Sequence, residues 1–370
     1  MPSSSFLMIS RHDYRSKRKA NVHFIAEEMA KLGPTRFFSS SFSHLAKLKK
    51  DQRLVLWNRA NQVENIDGVD CYLWKTLLHP VRSSPLLEPA MNLFFKLYLA
   101  SAPEIFKQWV CESSVIILES GGPEIFFPLI KKLNPSVKVI YICSDPLWAI
   151  NTPAFAVRAL QRDYPSYDGI RIPSRILKSE FPLSDKVHFI PHGIEKQALA
   201  TDKGSPYKAG KNIVSVGNML FDPGFFQIAA PAFPDVQFHI IGGGPRAEAL
   251  SEFPNVTVYG EMPFADTLPY IKYADAGVAP YQADMVAPYL TDTSMKLMQY
   301  GFYGLPAICP TVVEGGKSLR FGYEPDDAAS IKNAVSNGLS AKHVGDENIL
   351  TWSEVLLRIL NPDEFSDTAL

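Results

Sequence analysis

Ser294-Met295-Lys296-Leu297-Met298-Gln299-Tyr300-Gly301-Phe302-Tyr303-Gly304-Leu305-Pro306-Ala307-Ile308 reads as a helix, a stop and a strand. Ser294 can cap the helix, with Asp292 and Thr293 as further cap candidates. Gly304-Leu305-Pro306 ends it and feeds an apolar strand at 307–308. A helix returning to a strand through a short stop is the repeating unit of a parallel α/β fold. Lys296 falls in the first turn, where unpaired N–H groups and the helix dipole favour an anion. Gln299 lies three residues on, on the same face. Met295, Met298 and Phe302 form the expected inward stripe. A cation beside free backbone N–H groups suits a diphosphate. A lysine on a solvated helix face is the plain alternative.

The α/β pattern extends outward from this stretch. Strands are predicted at 212–217, 236–241, 256–259 and 277–279, with helices at 225–233 and 265–274 between them. Ile240-Ile241-Gly242-Gly243-Gly244-Pro245 follows a strand, but it is neither GxGxxG nor a P-loop, so it reads as a structural turn. The first half opens with a strand at 6–10 and a helix carrying Val22, Ile25, Met29 and Leu32. Gly33-Pro34 stops that helix before a strand at 35–39. Further strands are predicted at 114–118, 137–143 and 187–190, with a helix at 124–133. The fold class is therefore α/β with two parallel-sheet domains. They divide as 1–196, a polar linker at 197–211, a second domain at 212–345, and a helical segment at 346–370 placed to pack back on the first. No internal repeat is found.

Composition supports a globular chain. Of 370 residues, 46% are hydrophobic and 20% charged, enough for a sizeable core. A net charge of -1 argues against nucleic acid as a partner. The charge is uneven: residues 1–50 hold ten Lys and Arg against three acids. A basic N-terminal part points to an anionic surface or ligand there. The four cysteines are scattered without metal spacing, which suits reduced thiols. The apolar run 6–9 is too short for a signal peptide, and no stretch approaches a membrane span. A chain of this kind that meets a membrane lies on it.

Residues 42–98 admit two readings. Leu45, Lys47, Leu48, Lys49 and Lys50 form a basic-apolar patch. Leu86, Leu87, Met91, Leu93, Phe94, Phe95, Leu97 and Tyr98 form an apolar one. Ordinary core helices are one reading. An amphipathic surface on anionic lipid is the other.

For chemistry, Asp145 sits just after the predicted strand 137–143, at the strand end that faces the ligand crevice of doubly wound folds. A carboxylate there can take a proton from an attacking sugar hydroxyl. A turn aspartate is the alternative. Glu119 ends the preceding strand in a similar place, and Glu180 is a weaker acid candidate in a helix. There is no Asp-x-Asp, and the histidines are spread along the chain, so a metal site is not expected. No GxSxG or Cys–His signature points to a nucleophilic hydrolase.

The stretch 294–310 resembles the donor-binding helix of GT-B glycosyltransferases, whose two Rossmann-like domains face a central cleft. Gln299 stands where many of those enzymes carry an acid for the ribose. Arg11-His12-Asp13-Tyr14-Arg15 through Ile25, Asp70-Cys71-Tyr72-Leu73-Trp74, Val216-Gly217-Asn218-Met219 through Pro223, Tyr259-Gly260-Glu261-Met262 and 294–300 together resemble the GumK family. These are membrane-associated glucuronosyltransferases of xanthan-type exopolysaccharide assembly. The similarity runs from about Arg11 to Trp352-Ser353.

The resemblance implies an inverting, metal-independent enzyme with no cofactor, whose UDP-sugar donor is UDP-glucuronate. It implies a polyprenyl-diphosphate-linked oligosaccharide ending in mannose as acceptor. The enzyme would sit peripherally on the cytoplasmic face of the bacterial inner membrane, against anionic lipid. Residue by residue, Asp145 matches the family's general base and Glu180 a second acid near the acceptor. Met219 matches a methionine beside the nucleotide, Glu261 and Met262 the pair at uracil, and Tyr281 a tyrosine near the diphosphate. Ser294, Met295, Lys296 and Gln299 match positions around ribose, diphosphate and sugar carboxylate. Arg15, Lys17, Arg18 and Asn21 fall in the basic acceptor-side segment. Pro146-Leu147-Trp148 replaces a glycine-containing stretch of the family. Two other readings stand beside this one: a GT-B transferase using another UDP-sugar or acceptor, and a non-catalytic nucleotide-sugar binding module.

Overall fold

Phe6–Ser10 (β1) is buried along its whole length, as expected of a central strand covered on both faces. It lies in an eight-stranded sheet with Thr35–Ser43 (β2), Val63–Ile66 (β3), Val69–Thr76 (β4), Val115–Glu119 (β5), Lys138–Ile142 (β6), Gly169–Ile172 (β7) and Val187–Phe189 (β8). The order is β3-β4-β2-β1-β5-β6-β7-β8, and every pairing is parallel except β3 with β4. The computed structural model describes residues 4–16, 19–48, 51–77, 79, 81, 82, 84–345 and 349–370. Its first compact unit is Met1–Pro191 with Trp352–Leu370. The terminal helix Trp352–Leu360 joins this unit by packing on the helix Asn21–Leu32, where Trp352 stacks on Phe24 at 5.2 Å.

The second unit, His192–Thr351, holds an all-parallel six-stranded sheet. Its strands are Lys211–Val216 (β9), Val236–Ile241 (β10), Val256–Tyr259 (β11), Ala276–Val278 (β12), Ala307–Pro310 (β13) and Arg320–Tyr323 (β14), in the order β11-β10-β9-β12-β13-β14. One core, with Ile213, Phe226, Phe238, Ile240, Val278 and Ile331 among its buried members, fills one face of that sheet.

Several expectations need correction. Residues 197–211 are not a free linker. Leu199 is buried, Lys272 Nζ donates to Thr201 O at 2.7 Å, and Tyr207 Oη donates to Tyr270 O at 2.5 Å, so the stretch is part of the second unit. Sequence patterning missed β3, β4, β7 and β14. β7 is the four-residue Gly-Ile-Arg-Ile, whose arginine breaks the apolar run although the strand buries it fully. The predicted helix at 124–133 starts as a 3-10 turn, Pro123–Phe126, and turns α-helical at Phe127–Leu133.

Candidate functional site

In the second unit the chain leaves β9 for β10 and β11 on one side, and places β12, β13 and β14 on the other. The loops after β9 and β12 therefore part at a topological switch point, the place where doubly wound sheets bind ligands. Gly217 leaves β9 at φ +84, a conformation that glycine adopts without steric cost. Asp222 N donates to Pro280 O and Gln282 N to Leu220 O, both at 2.9 Å, tying the two loops together.

The helix Met295–Phe302 begins beside these loops. Ser294 caps it: Oγ accepts from Leu297 N at 3.2 Å and shares a 2.6 Å hydrogen bond with Tyr281 Oη. Lys296 Nζ lies 5.5 Å from the Tyr281 ring centre and makes a long 3.4 Å contact with Gly217 O. Ser294, Lys296, Tyr281 and Gly217 thus meet at the switch point. Lys296 is 9% exposed, and burial, the one cause of the shift, pulls its pKa down to about 7.

The expected inward stripe of this helix is wrong. Met295 is exposed, and Met298 and Phe302 are half-buried against a small cluster of Ile194, Leu199 and Leu268. The face that points inward carries Lys296, Leu297 and Tyr300. Tyr300 sets this rotation. Its ring covers Gly277, where a Cβ would come within 2.6 Å of it, and its hydroxyl reaches Val214 O and Val278 O.

The other donor-side positions lie at the same strand ends. Met219 follows β9 and is exposed. Gln299 is half-buried. Glu261 and Met262 follow β11, two strands over from β9, exposed and half-buried respectively. The glycine run after β10 is a structural turn. A Cβ on Gly243 would sit 2.7 Å from Ala247 Cβ and 2.8 Å from Ile240 Cγ2.

The first unit has its own switch point, between β1 and β5, with β6 beside β5. Ser10 ends β1, Glu119 ends β5, and Ser144-Asp145 follows β6. Glu119 is fully buried. Ser10 Oγ donates to Glu119 Oε2, Ser144 Oγ donates to Oε1 at 3.2 Å, and His12 Nε2 stands 3.8 Å from Oε1. Asp145 N donates to Ser120 Oγ at 3.2 Å, and the residue is half-buried. Burial, with Asp145 as a nearby like charge, raises the Glu119 pKa to about 7 against the pull of its two serine hydrogen bonds. The three serines of this network carried no sequence signal beyond their place: each lies at or just past the end of an apolar strand.

Glu180 is exposed and accepts from Trp148 Nε1 at 3.2 Å, which brings it to the loop that carries Asp145. Two acceptor-side assignments change. The Arg15 guanidinium forms a two-pronged ion pair with the fully buried Asp13, both bonds at 2.8 Å, and reaches Glu64 at 3.1 Å. With its side chain 3% exposed, it holds the loop and is not presented to a ligand. Asn21 donates to Ser144 Oγ at 2.8 Å, so it acts on the Asp145 loop. Lys17 and Arg18 lie outside the described residues.

Two adjoining cavities lie next to this loop. One, of about 510 Å³, is lined by Arg82, Met91, Phe95, Leu147, Trp148 and Arg158. The other, of about 350 Å³, shares Arg82 and Phe95 and adds Arg11, His79 and Tyr98. Residues 86–98 present two faces. Phe95 and Tyr98 are buried, while Leu86, Leu87, Leu93 and Leu97 are exposed, Leu86 at 92%. No helix among the described residues is long and apolar enough to cross a membrane. Among them, no group of three or more His, Cys, Asp and Glu is placed to hold a metal ion.

Comparison with known proteins gives three findings. Residues 8–173 match the model of the family "Glucuronosyltransferase GumK, N-terminal domain". The chain is 42% identical to a UDP-glucuronate:glycolipid 2-beta-glucuronosyltransferase of Xanthomonas campestris pv. campestris, over 99% of this chain and 91% of that one. Among solved structures, sucrose-phosphate synthase of Thermosynechococcus elongatus superposes with a TM-score of 0.59 at 13% identity, covering 97% of this chain and 98% of that one. A UDP-forming α,α-trehalose-phosphate synthase of Burkholderia xenovorans gives 0.60 at 10%, covering 97% of each. At such low identity these two establish the fold, which is GT-B.

Proposed function

The chain belongs to the GumK family of glucuronosyltransferases, and from that premise we propose that it transfers glucuronate from UDP-glucuronate to a glycolipid hydroxyl. The observation that carries this reading is the meeting of Lys296, the Ser294-capped helix start and Tyr281 at the switch point of the second unit. A diphosphate needs such a place: fixed N–H donors, a helix dipole and one buried cation. The acceptor we assign is a polyprenyl-diphosphate-linked oligosaccharide ending in mannose. A β-linked product from an α-linked UDP-sugar requires inversion, hence one displacement. Asp145 takes the proton of the attacking hydroxyl. UDP departs, and Lys296 with the helix N-terminus meets its growing charge.

Mass spectrometry of products from lipid-linked acceptors, offered UDP-glucuronate or UDP-glucose, tests the assignment. We expect addition of one hexuronate with UDP-glucuronate and at least about tenfold less product with UDP-glucose, the loss that follows from leaving a polar site unpaired. Equal use of both donors would sink the glucuronate assignment.

We also infer that the first unit rests on the cytoplasmic face of the inner membrane. Its exposed leucines at 86, 87, 93 and 97, with the basic excess of residues 1–50, support this. Cosedimentation with vesicles containing anionic lipid should exceed that with neutral vesicles. Leu93→Glu combined with Leu97→Glu should reduce it several-fold, and no binding at low salt would refute the idea.

A further inference from the structure

The Asp145 loop is held from behind by a carboxylate that the displacement does not touch. Glu119 is 3% exposed and ends β5, the strand beside the one that feeds Asp145. The hydrogen bonds around it run in one direction. His12 N donates to Ser10 Oγ at 2.8 Å, so the Ser10 hydroxyl proton is turned toward Glu119. Asn21 Nδ2 donates to Ser144 Oγ at 2.8 Å, so the Ser144 proton is turned the same way. Both carboxylate oxygens therefore act as acceptors, an arrangement that favours the ionised form.

The charged and titratable groups facing Glu119 come from three elements. His12 and Arg11 stand on the loop after β1, His23 on the helix Asn21–Leu32, and Asp145 on the loop after β6. His23 adds no fixed charge: Nδ1 accepts from Ala20 N at 2.8 Å, which leaves Nε2 to donate to Asp13 O at 2.8 Å. Burial lowers the proton affinity of both His12 and His23, and Arg53 lowers that of His12 further.

We propose that Glu119 is a positioning residue for Asp145: through Ser144 it fixes the loop that carries the base. The inference rests on Asp145 being the base. Removing either end of the Glu119–Ser144 tie frees the loop and disturbs the orientation of the base.

The test measures kcat and KM for the full chain with UDP-glucuronate and a lipid-linked acceptor. Glu119→Gln should lower kcat about tenfold or more, with the KM for UDP-glucuronate within about twofold of wild type. Glu119→Asp is one methylene shorter and withdraws from Ser144, so its kcat should also fall. Ser144→Ala should lower kcat with the KM likewise unchanged. A folded Glu119→Gln enzyme with wild-type kcat overturns the proposal. Should that variant fail to fold by near-ultraviolet circular dichroism, wild-type kcat in both Ser144→Ala and Glu119→Asp overturns it equally. Asp145→Asn measured alongside separates the two levels. Turnover persisting in Asp145→Asn refutes the base and this inference with it. An inactive Asp145→Asn beside wild-type Glu119→Gln and Ser144→Ala refutes this inference alone.

Discussion

Replacing Asp145 with asparagine is expected to remove glucuronate transfer, by about 10²- to 10⁴-fold in kcat, the range a positioned general base contributes. The substitution is nearly isosteric. The loop should keep its shape because the Asp145 N to Ser120 Oγ bond and the Ser144 bonds to Glu119 and Asn21 do not involve the Asp145 carboxylate. Our proposal places donor binding in the second unit, so the Kd for UDP-glucuronate should stay within a few-fold of wild type. That split identifies a base: chemistry lost, donor affinity kept. Slow hydrolysis of UDP-glucuronate by water should also survive, since it needs the leaving-group side of the site alone. Turnover of the lipid acceptor above a tenth of the wild-type rate would remove Asp145 from the role. A parallel loss of donor affinity would show that the residue shapes more than the acceptor hydroxyl.

The parts of this machinery differ in how well a sequence reveals them, for physical reasons. Strands such as Val115–Glu119 and Val236–Ile241 were legible because buried parallel strands read as apolar runs between turn signals. The place of Asp145 followed from the same logic, since a polar residue just after such a run stands at the crevice end. The rotation of the helix Met295–Phe302 was not legible. Apolarity pointed Met295, Met298 and Phe302 inward, whereas Tyr300 packs over Gly277 and turns the face bearing Lys296 into the core. A contact 23 positions away in sequence decided it. Arg15 misled for the converse reason. A basic cluster suggests an anionic ligand, but the partner here is Asp13, two residues back, and the ion pair folds the loop on itself. The Ser10–Glu119–Ser144 network joins three strand ends that meet because of strand order, which periodicity does not encode.

Lys296 should show the opposite behaviour to Asp145: its loss costs donor binding and stabilises the empty fold. In the folded chain, burial holds its pKa at about 7 against an ordinary value of 10.5. Between those pH values the unfolded chain binds more protons than the folded one, so this group makes stability rise with pH across about 7 to 10.5. Below pH 7 both states carry the proton, and the full cost of a buried charge is present. Lys296→Met removes that cost while filling similar space. The variant should therefore melt at a higher temperature than wild type at pH 6, with the advantage fading as pH approaches 10.5. Donor binding should fall by about 100-fold or more, the scale of a charge-assisted contact to a diphosphate. The same reasoning sets a proton count. A bound diphosphate supplies the counter-charge that the empty site lacks and returns the lysine to its charged form. At pH 8, binding of UDP-glucuronate should take up close to one proton in wild type and none in Lys296→Met. Calorimetric titration in buffers of different ionisation enthalpy reads this directly. Equal proton uptake in both proteins would place the titrating group elsewhere. A Lys296→Met variant that melts lower than wild type at pH 6 would show that the contact with Gly217 O and the Tyr281 ring outweighs the burial of the charge.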